Sequence, residues 1–151
     1  MNSKFAIVVS RFNETVTDKL AEGALNRLLA RGVRRDNITL IQVPGAVEIP
    51  LVAKLLAESD DYSAIIALGA VIRGETSHYD YVCEQVSQGC QRVMLDFNIP
   101  VIFGVLTTEN EEQALDRVGG NHGHKGVDAA DVALEMAATV SQLTCACELT
   151  G

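Results

Sequence analysis

Residues 64–80 read AIIALGAVIRGETSHYD, and the change of pattern within this stretch decides the fold. Residues 64–71 form a run of apolar and small side chains that is typical of a strand buried on both faces. Polar residues follow, and Thr76 and Ser77 supply hydroxyls that can cap a helix beginning near His78. Free N–H groups at that helix end favour an anion, so the stretch predicts an anion site beside a proton-transfer group.

The same alternation of patterns recurs along the chain. Three more apolar runs predict strands at residues 5–9, 38–43 and 101–106. Amphipathic spacing between the runs predicts helices, the first of which ends before Gly32, while Pro50 lies in the first turn of the second. Thr108 and Glu111 have the spacing of a capping box before a short fourth helix. The last helix is predicted from about residue 126 to 143, with many alanines for close packing.

Strands that alternate with helices predict a parallel sheet that is covered on both faces. We therefore expect an α/β fold, a three-layer α/β/α sandwich of flavodoxin-like type with a four-stranded parallel sheet. The sequence shows no internal repeat, linker or low-complexity tract, so one domain over residues 1–151 is expected. In such a sheet, ligands bind at the carboxyl ends of the strands.

Composition excludes several classes of partner. The 20 acidic residues outnumber the 12 Lys and Arg residues and give a net charge of −8, which argues against nucleic acid and against an anionic membrane surface. No apolar run approaches the ~18 residues that span a bilayer, and we expect a cytoplasmic protein.

The sequence contains four cysteines, Cys83, Cys90, Cys145 and Cys147. We expect them to be reduced, packed thiols, and a metal site is the less favoured alternative.

Two segments at predicted strand ends carry candidate ligand groups. Phe12 follows the first strand, where an exposed ring stacks on a planar ligand and Asn13 bonds the ligand edge; the alternative is a Phe12 side chain folded back into the core. Glu48 lies near the start of the second helix, where a carboxylate either interacts with the helix dipole or accepts hydrogen bonds from a polyol.

The candidate acid-base and basic groups lie further along the chain. His78 is the best general acid-base candidate, and a plain surface histidine is the alternative. Arg117 and Lys125 either pair with helix carbonyl groups or supply the cation for a phosphate. His122 and His124 look like a metal pair, but no third ligand has a convincing spacing, so no metal is expected.

Several segments together resemble the 6,7-dimethyl-8-ribityllumazine synthase family, which acts in riboflavin biosynthesis. The resemblance runs through RFNE, VPGAVEIP, ALGAVIRGETSHYDYV, IPVIFGVLTTEN, Arg117 and NHGHKG, in order and over nearly the whole chain. It implies a transferase without cofactor that condenses 5-amino-6-(D-ribitylamino)uracil with 3,4-dihydroxy-2-butanone 4-phosphate. The products are 6,7-dimethyl-8-ribityllumazine, phosphate and water, and the reaction is the penultimate step of the pathway.

The resemblance also implies roles for individual residues. His78 matches the general acid-base residue. Glu75, Thr76 and Arg117 match the site of the phosphate substrate, with Arg117 delivered by a neighbouring subunit. The ribitylaminouracil site corresponds to Phe12, Ala46, Val47, Glu48, Ala70, Val71, Ile72 and Phe103, of which Phe103 also comes from the neighbour.

An assembly follows from this resemblance, since a pocket that borrows residues is incomplete in a monomer. Family members form pentamers, decamers or sixty-subunit shells, and a riboflavin synthase partner is expected in some of them. Because the segment before the first strand is short, we do not expect this chain to form a shell.

The main alternative is a non-catalytic shell or carrier of the same fold that binds flavin or lumazine. A flavin-binding electron carrier is disfavoured because RFNETVT lacks the glycine of a phosphate loop, and a phospho-acceptor domain because no aspartate follows the first strand directly.

Overall fold

The computed structural model describes residues 3–150, with side chains described as far as residue 145. Its centre is a four-stranded parallel sheet in the order β2-β1-β3-β4. The strands are β1 (Phe5–Ser10), β2 (Ile38–Val43), β3 (Ala64–Ile72) and β4 (Val101–Thr108). The predicted α/β class and the four-stranded parallel sheet are therefore confirmed, and the strands extend the predicted runs by up to two residues.

Within residues 3–150, five α-helices join and cover the strands. They are α1 (Glu14–Ala30), α2 (Ile49–Glu58), α3 (His78–Phe97), α4 (Glu111–Asp116) and α5 (Lys125–Thr150). Pro50 lies in the first turn of α2 as predicted. Gly32 follows the end of α1 with φ of 97°, a left-handed conformation that glycine adopts without strain.

The two faces of the sheet are buried by different helices. Leu20 and Leu28 of α1 pack with Ile7 and Ile66 on one face, which α5 also covers. On the other face, Ile49 and Val86 bring α2 and α3 onto Val8 and Ile65. Burial on both faces explains why the strands read as continuous apolar runs, and it confirms the flavodoxin-like three-layer arrangement.

The alanines of α5 allow a close approach to α1 and the sheet. Ala129, Ala130 and Ala133 are buried in the core on that face. At Gly126 an added Cβ atom would collide with the main-chain oxygen of Leu20. Small side chains at this contact therefore serve packing within the chain.

One local prediction is wrong, and one element was not predicted. The cap of α4 is Asn110, whose Oδ1 accepts a hydrogen bond from the main-chain N–H of Gln113 at 2.8 Å. Thr108 instead ends β4, and its hydroxyl donates to the main-chain oxygen of Asn110. The glycine-rich stretch after α4, for which no strand was predicted, forms an antiparallel hairpin of β5 (Val118–Gly120) and β6 (Gly123–His124).

The cysteines whose side chains are described are free thiols. Cys90 is buried, Cys83 is half-buried and Cys145 is exposed, whereas the side chain of Cys147 lies outside the described residues. Burial raises the pKa of the Cys90 thiol to about 11, because a thiolate would lose its hydration there. In the described part of the chain, no helix combines the length and the apolar character needed to cross a membrane.

Candidate active site

A pocket of about 310 Å³ opens at the carboxyl ends of β1 and β3, beside the first turns of α3. Its size and mainly apolar lining are typical of a site for a small organic ligand. Eight of the residues that the resemblance assigns to the site lie in its wall: Phe12, Ala46, Val47, Ala70, Val71, Ile72, Thr76 and the acid-base residue His78. Residues from four separate segments of the sequence are thus brought to one cavity.

The loop after β1 presents Phe12 to the pocket. The Phe12 side chain is 71% exposed, so it is not folded into the core. The main-chain N–H groups of Arg11 and Phe12 donate to the carbonyl oxygens of Val43 and Pro44, which fixes this loop to the end of β2. An exposed aromatic ring on a fixed loop is suited to stacking on a planar ligand.

Asn13 holds the same loop from the other side. It has φ of 67° and ψ of 51°, the left-handed conformation that asparagine tolerates better than most residues. Its Nδ2 donates to the main-chain oxygen of Ala70 at 2.9 Å. The Asn13 amide therefore ties the end of β1 to the end of β3, a role that spacing along the sequence does not indicate.

The turn after β2 forms the next part of the wall. Gly45, Ala46 and Val47 line the pocket. Glu48 is half-buried, lies outside the lining, and accepts a hydrogen bond on its Oε1 from the main-chain N–H of Gly45 at 2.9 Å. One Glu48 oxygen thus stabilises the turn that presents Ala46 and Val47.

His78 begins α3, as predicted, and its exposed side chain lines the pocket. The main-chain N–H of His78 donates to the Thr76 hydroxyl at 3.3 Å, whereas the Ser77 side chain makes no capping bond. Glu75 is exposed in the same loop but lies outside the lining. The loop thus contributes one hydroxyl and one imidazole to the cavity.

Tyr79 and Val82 also line the pocket, and the sequence analysis did not single them out. Val82 lies four residues after His78, so the spacing along α3 could have indicated a shared face. Burial raises the pKa of the Tyr79 hydroxyl and that of the neighbouring Cys83 thiol. Both groups are therefore neutral near pH 7, and the imidazole of His78 is the candidate proton-transfer group in this wall.

Two predicted residues lie away from this pocket. Arg117 lines a second cavity with Thr107, His122 and Lys125, and its Nη1 donates to the main-chain oxygen of Gln113 at 2.7 Å. Phe103 lines a groove along the edge strand β4, together with Met136 of α5. The single chain does not bring Arg117 or Phe103 to His78.

The histidines near the hairpin have separate environments. Nδ1 of His124 accepts from the main-chain N–H groups of Gly126 and Val127, at 3.1 and 3.3 Å. His124 therefore caps the beginning of α5, a structural role. His122 lines the second cavity, and no three His, Cys, Asp or Glu side chains cluster as metal ligands within the described residues.

Comparison with known proteins agrees with this arrangement. Residues 2–141 match the family model described as 6,7-dimethyl-8-ribityllumazine synthase. Proteins of that name from three Coxiella burnetii strains, CbuG_Q212, RSA 493 / Nine Mile phase I and Dugway 5J108-111, are each 59% identical over 133 residues, which cover 88% of each chain. The family model spans the pocket residues as well as Phe103 and Arg117, and the chain therefore belongs to the 6,7-dimethyl-8-ribityllumazine synthase family.

Proposed function

We propose that the protein catalyses the condensation of 5-amino-6-(D-ribitylamino)uracil with 3,4-dihydroxy-2-butanone 4-phosphate to 6,7-dimethyl-8-ribityllumazine. Membership of the family supports this activity, which is a transferase reaction of riboflavin biosynthesis. The pocket beside His78 supplies the matching chemistry: an apolar cavity, an exposed aromatic ring and an imidazole side chain. That convergence is the observation that carries the proposal.

The pyrimidine substrate fits the part of the pocket between the ends of β1 and β3. Phe12 stacks on the pyrimidine ring, and Ala70, Val71 and Ile72 contact the ring edge. The main chain at the end of a strand offers N–H and C=O groups to a heterocycle without requiring particular side chains. The exposed position of Phe12 supports this assignment.

The ribityl chain occupies the side of the pocket formed by Ala46 and Val47, next to Glu48. Hydroxyl groups of the chain donate to the Glu48 carboxylate, which accepts one internal hydrogen bond on Oε1 and has further acceptor capacity. A main-chain turn held by Glu48 also keeps Ala46 and Val47 against the substrate.

The phosphate substrate binds next to the loop that carries Glu75 and Thr76. Among the described residues that line this pocket, none is lysine or arginine. The second cavity, by contrast, holds both Arg117 and Lys125. Because a dianionic phosphate is best held by charge-assisted hydrogen bonds, we assign Arg117 of a neighbouring subunit to the phosphate.

Exposed apolar side chains support an assembly that joins these two surfaces. Leu51 and Leu55 lie one turn apart on α2 and are largely exposed, close in sequence to the pocket residue Val47. The groove that contains Phe103 is also lined by Val132 and Met136, which are exposed in the isolated chain. Packing one surface on the other is a heterologous contact, and such contacts form a ring when the rotation from one copy to the next closes. We propose a homo-oligomer, a pentamer or an assembly of pentamers, in which Phe103 closes over the neighbour's substrate.

The chain's residues then account for the steps of the reaction. The pyrimidine amine condenses with the ketone to a Schiff base and releases water. Phosphate is then eliminated, and ring closure with loss of a second water gives the lumazine. His78 transfers the protons. Holding both substrates in one pocket supplies much of the acceleration, since orientation alone contributes ~7 to 11 kcal/mol.

The biological setting belongs to the same proposal. We place the reaction in the cytoplasm, within one domain over residues 1–151 and without a cofactor. A riboflavin synthase is the expected partner, because it consumes the lumazine.

Mixing the purified protein with both substrates tests the activity. Lumazine formation is followed by its absorbance, with Arg117→Ala as the comparison and light scattering as the measure of assembly size. Formation well above the uncatalysed rate supports the proposal. Formation at the uncatalysed rate, with lumazine still bound, contradicts it and favours a carrier of the same fold.

A further inference from the structure

We propose that Arg73 is a positioning residue that holds the loop carrying Thr76 and His78 in its working geometry. The assignment rests on the proposed function, because it concerns the same pocket. Arg73 does not line that pocket, so it acts through the residues that it contacts.

Arg73 joins three parts of the structure. Its main-chain N–H donates to the carbonyl oxygen of Thr108 at 2.8 Å, at the end of β4. Its Nε lies 2.8 Å from Oε2 of Glu109, and its Nη2 lies 3.5 Å from Oδ1 of Asp80 in the first turn of α3. Its guanidinium carbon lies 4.3 Å from the centre of the Tyr79 ring, close enough for a cation–π contact.

These contacts lie at both ends of the segment between β3 and α3, which forms part of the pocket wall. The segment leaves β3 at Arg73 and enters α3 at His78, and residues 74–77 between them are all exposed. A Cβ atom added at Gly74 would have no neighbour within 4 Å, so the segment has little packing of its own there. A single guanidinium group that holds both ends of the segment therefore limits where Thr76 and His78 can lie.

The charge balance argues against a direct role for Arg73 in binding phosphate. Glu109 and Asp80 are both within ion-pair distance of its guanidinium group. With two carboxylates beside one cation, the local charge is negative, and a phosphate would be repelled rather than attracted. Arg73 therefore positions the loop and does not bind the phosphate.

The first test is the kinetics of Arg73→Met. Because a small misplacement of reacting groups lowers the reaction rate strongly, we expect kcat to fall ~10- to 100-fold. KM for the phosphate substrate should rise, since Thr76 lies in the released loop, whereas KM for the pyrimidine should stay unchanged. Arg34→Met is the matched control, because the exposed Arg34–Asp36 pair precedes β2 at the opposite end of the sheet.

A double-mutant cycle identifies the partner. Glu109→Gln removes the shorter ion pair and should reproduce part of the loss. If the two side chains act together, Arg73→Met combined with Glu109→Gln loses no more than Arg73→Met alone. Arg73→Lys keeps the charge but not the planar fork, so it should recover only part of kcat.

Hydrogen exchange of the amides of residues 74–79 tests the inference without turnover. We expect faster exchange in Arg73→Met and unchanged exchange in Arg34→Met, at an unaltered Tm. Unchanged exchange in Arg73→Met, or an equal rise in both KM values, would overturn the positioning role. If the wild-type protein forms no lumazine, the proposed function fails, and the exchange result still decides the inference.

Discussion

His78 and Arg117 line separate cavities of the same chain. His78 lies at the beginning of α3, in the apolar pocket at the carboxyl ends of β1 and β3. Arg117 follows α4 and lies beside Lys125, near the end of the edge strand β4. If both residues act on one pair of substrates, they must come from different copies of the chain. The predictions below follow from this relationship and from the packing of the core.

His78→Ala should keep measurable activity. General acid-base catalysis by one group contributes ~10²- to 10⁴-fold, and we expect kcat to fall within this range. After the substitution, the rest of the pocket still orients the two substrates. Steady-state lumazine formation gives the measurement. A protein with intact fold and substrate affinity but no detectable turnover would show that His78 contributes more than proton transfer.

Arg117→Ala should act mainly on the phosphate substrate. A charge-assisted hydrogen bond is worth about 1.5–3 kcal/mol, so KM for this substrate should rise ~10- to 100-fold. KM for the pyrimidine should change little, because Phe12 and the carboxyl end of β3 line the other cavity. Arg34→Ala provides the control for loss of one exposed positive charge. Equal changes in both KM values would argue against a specific phosphate contact.

Gly126→Ala should destabilise the fold. The new methyl group would meet the main-chain oxygen of Leu20, so α5 and α1 would have to move apart. Overpacking of this kind costs about 1–3 kcal/mol of unfolding free energy. Denaturant unfolding measures the effect, and Gly74→Ala serves as control because that position is open. A Gly126→Ala protein as stable as the wild type would show that α1 and α5 can move apart without loss of stability.

The free energy of unfolding should fall as the pH rises from about 9 to 11. The pKa of the Cys90 thiol is about 11 in the fold, against 9.0 for an exposed thiol, so the folded state keeps its proton while the unfolded state loses it. This contribution is fully present below pH 9.0 and is lost as the pH rises through the folded pKa. The loss amounts to ~2 kcal/mol at the upper pH. Cys90→Ala should remove this part of the pH dependence, and an identical dependence in the two proteins would contradict the assignment.

The sheet and most helices could be predicted because their signals are local. Each parallel strand is buried on both faces, so Ala64–Ile72 reads as one apolar run whatever its neighbours are. The pocket segments could be predicted for a related reason, since polar residues after a strand fall at its carboxyl end. The resemblance to a family then assigned roles that local patterns leave open, such as ring stacking by Phe12.

Features that depend on distant partners could not be predicted in this way. The hairpin depends on pairing of Val118 with His124, which a glycine-rich sequence does not reveal. Thr108 is the last residue of β4, and the cap of α4 is therefore Asn110 and not Thr108. Asn13 bonds Ala70 across 57 residues of sequence, and only the sheet order β2-β1-β3-β4 brings those two residues together.

Mixed assemblies test most directly whether one active site uses two copies of the chain. His78→Ala and Arg117→Ala chains are co-expressed in equal amounts, and lumazine formation is measured at a low concentration of the phosphate substrate. In a random ring, about a quarter of the sites pair an intact His78 with an intact Arg117 from the neighbour, so activity should recover to about a quarter of wild type. Activity no higher than the average of the two separate variants would contradict a site shared between subunits.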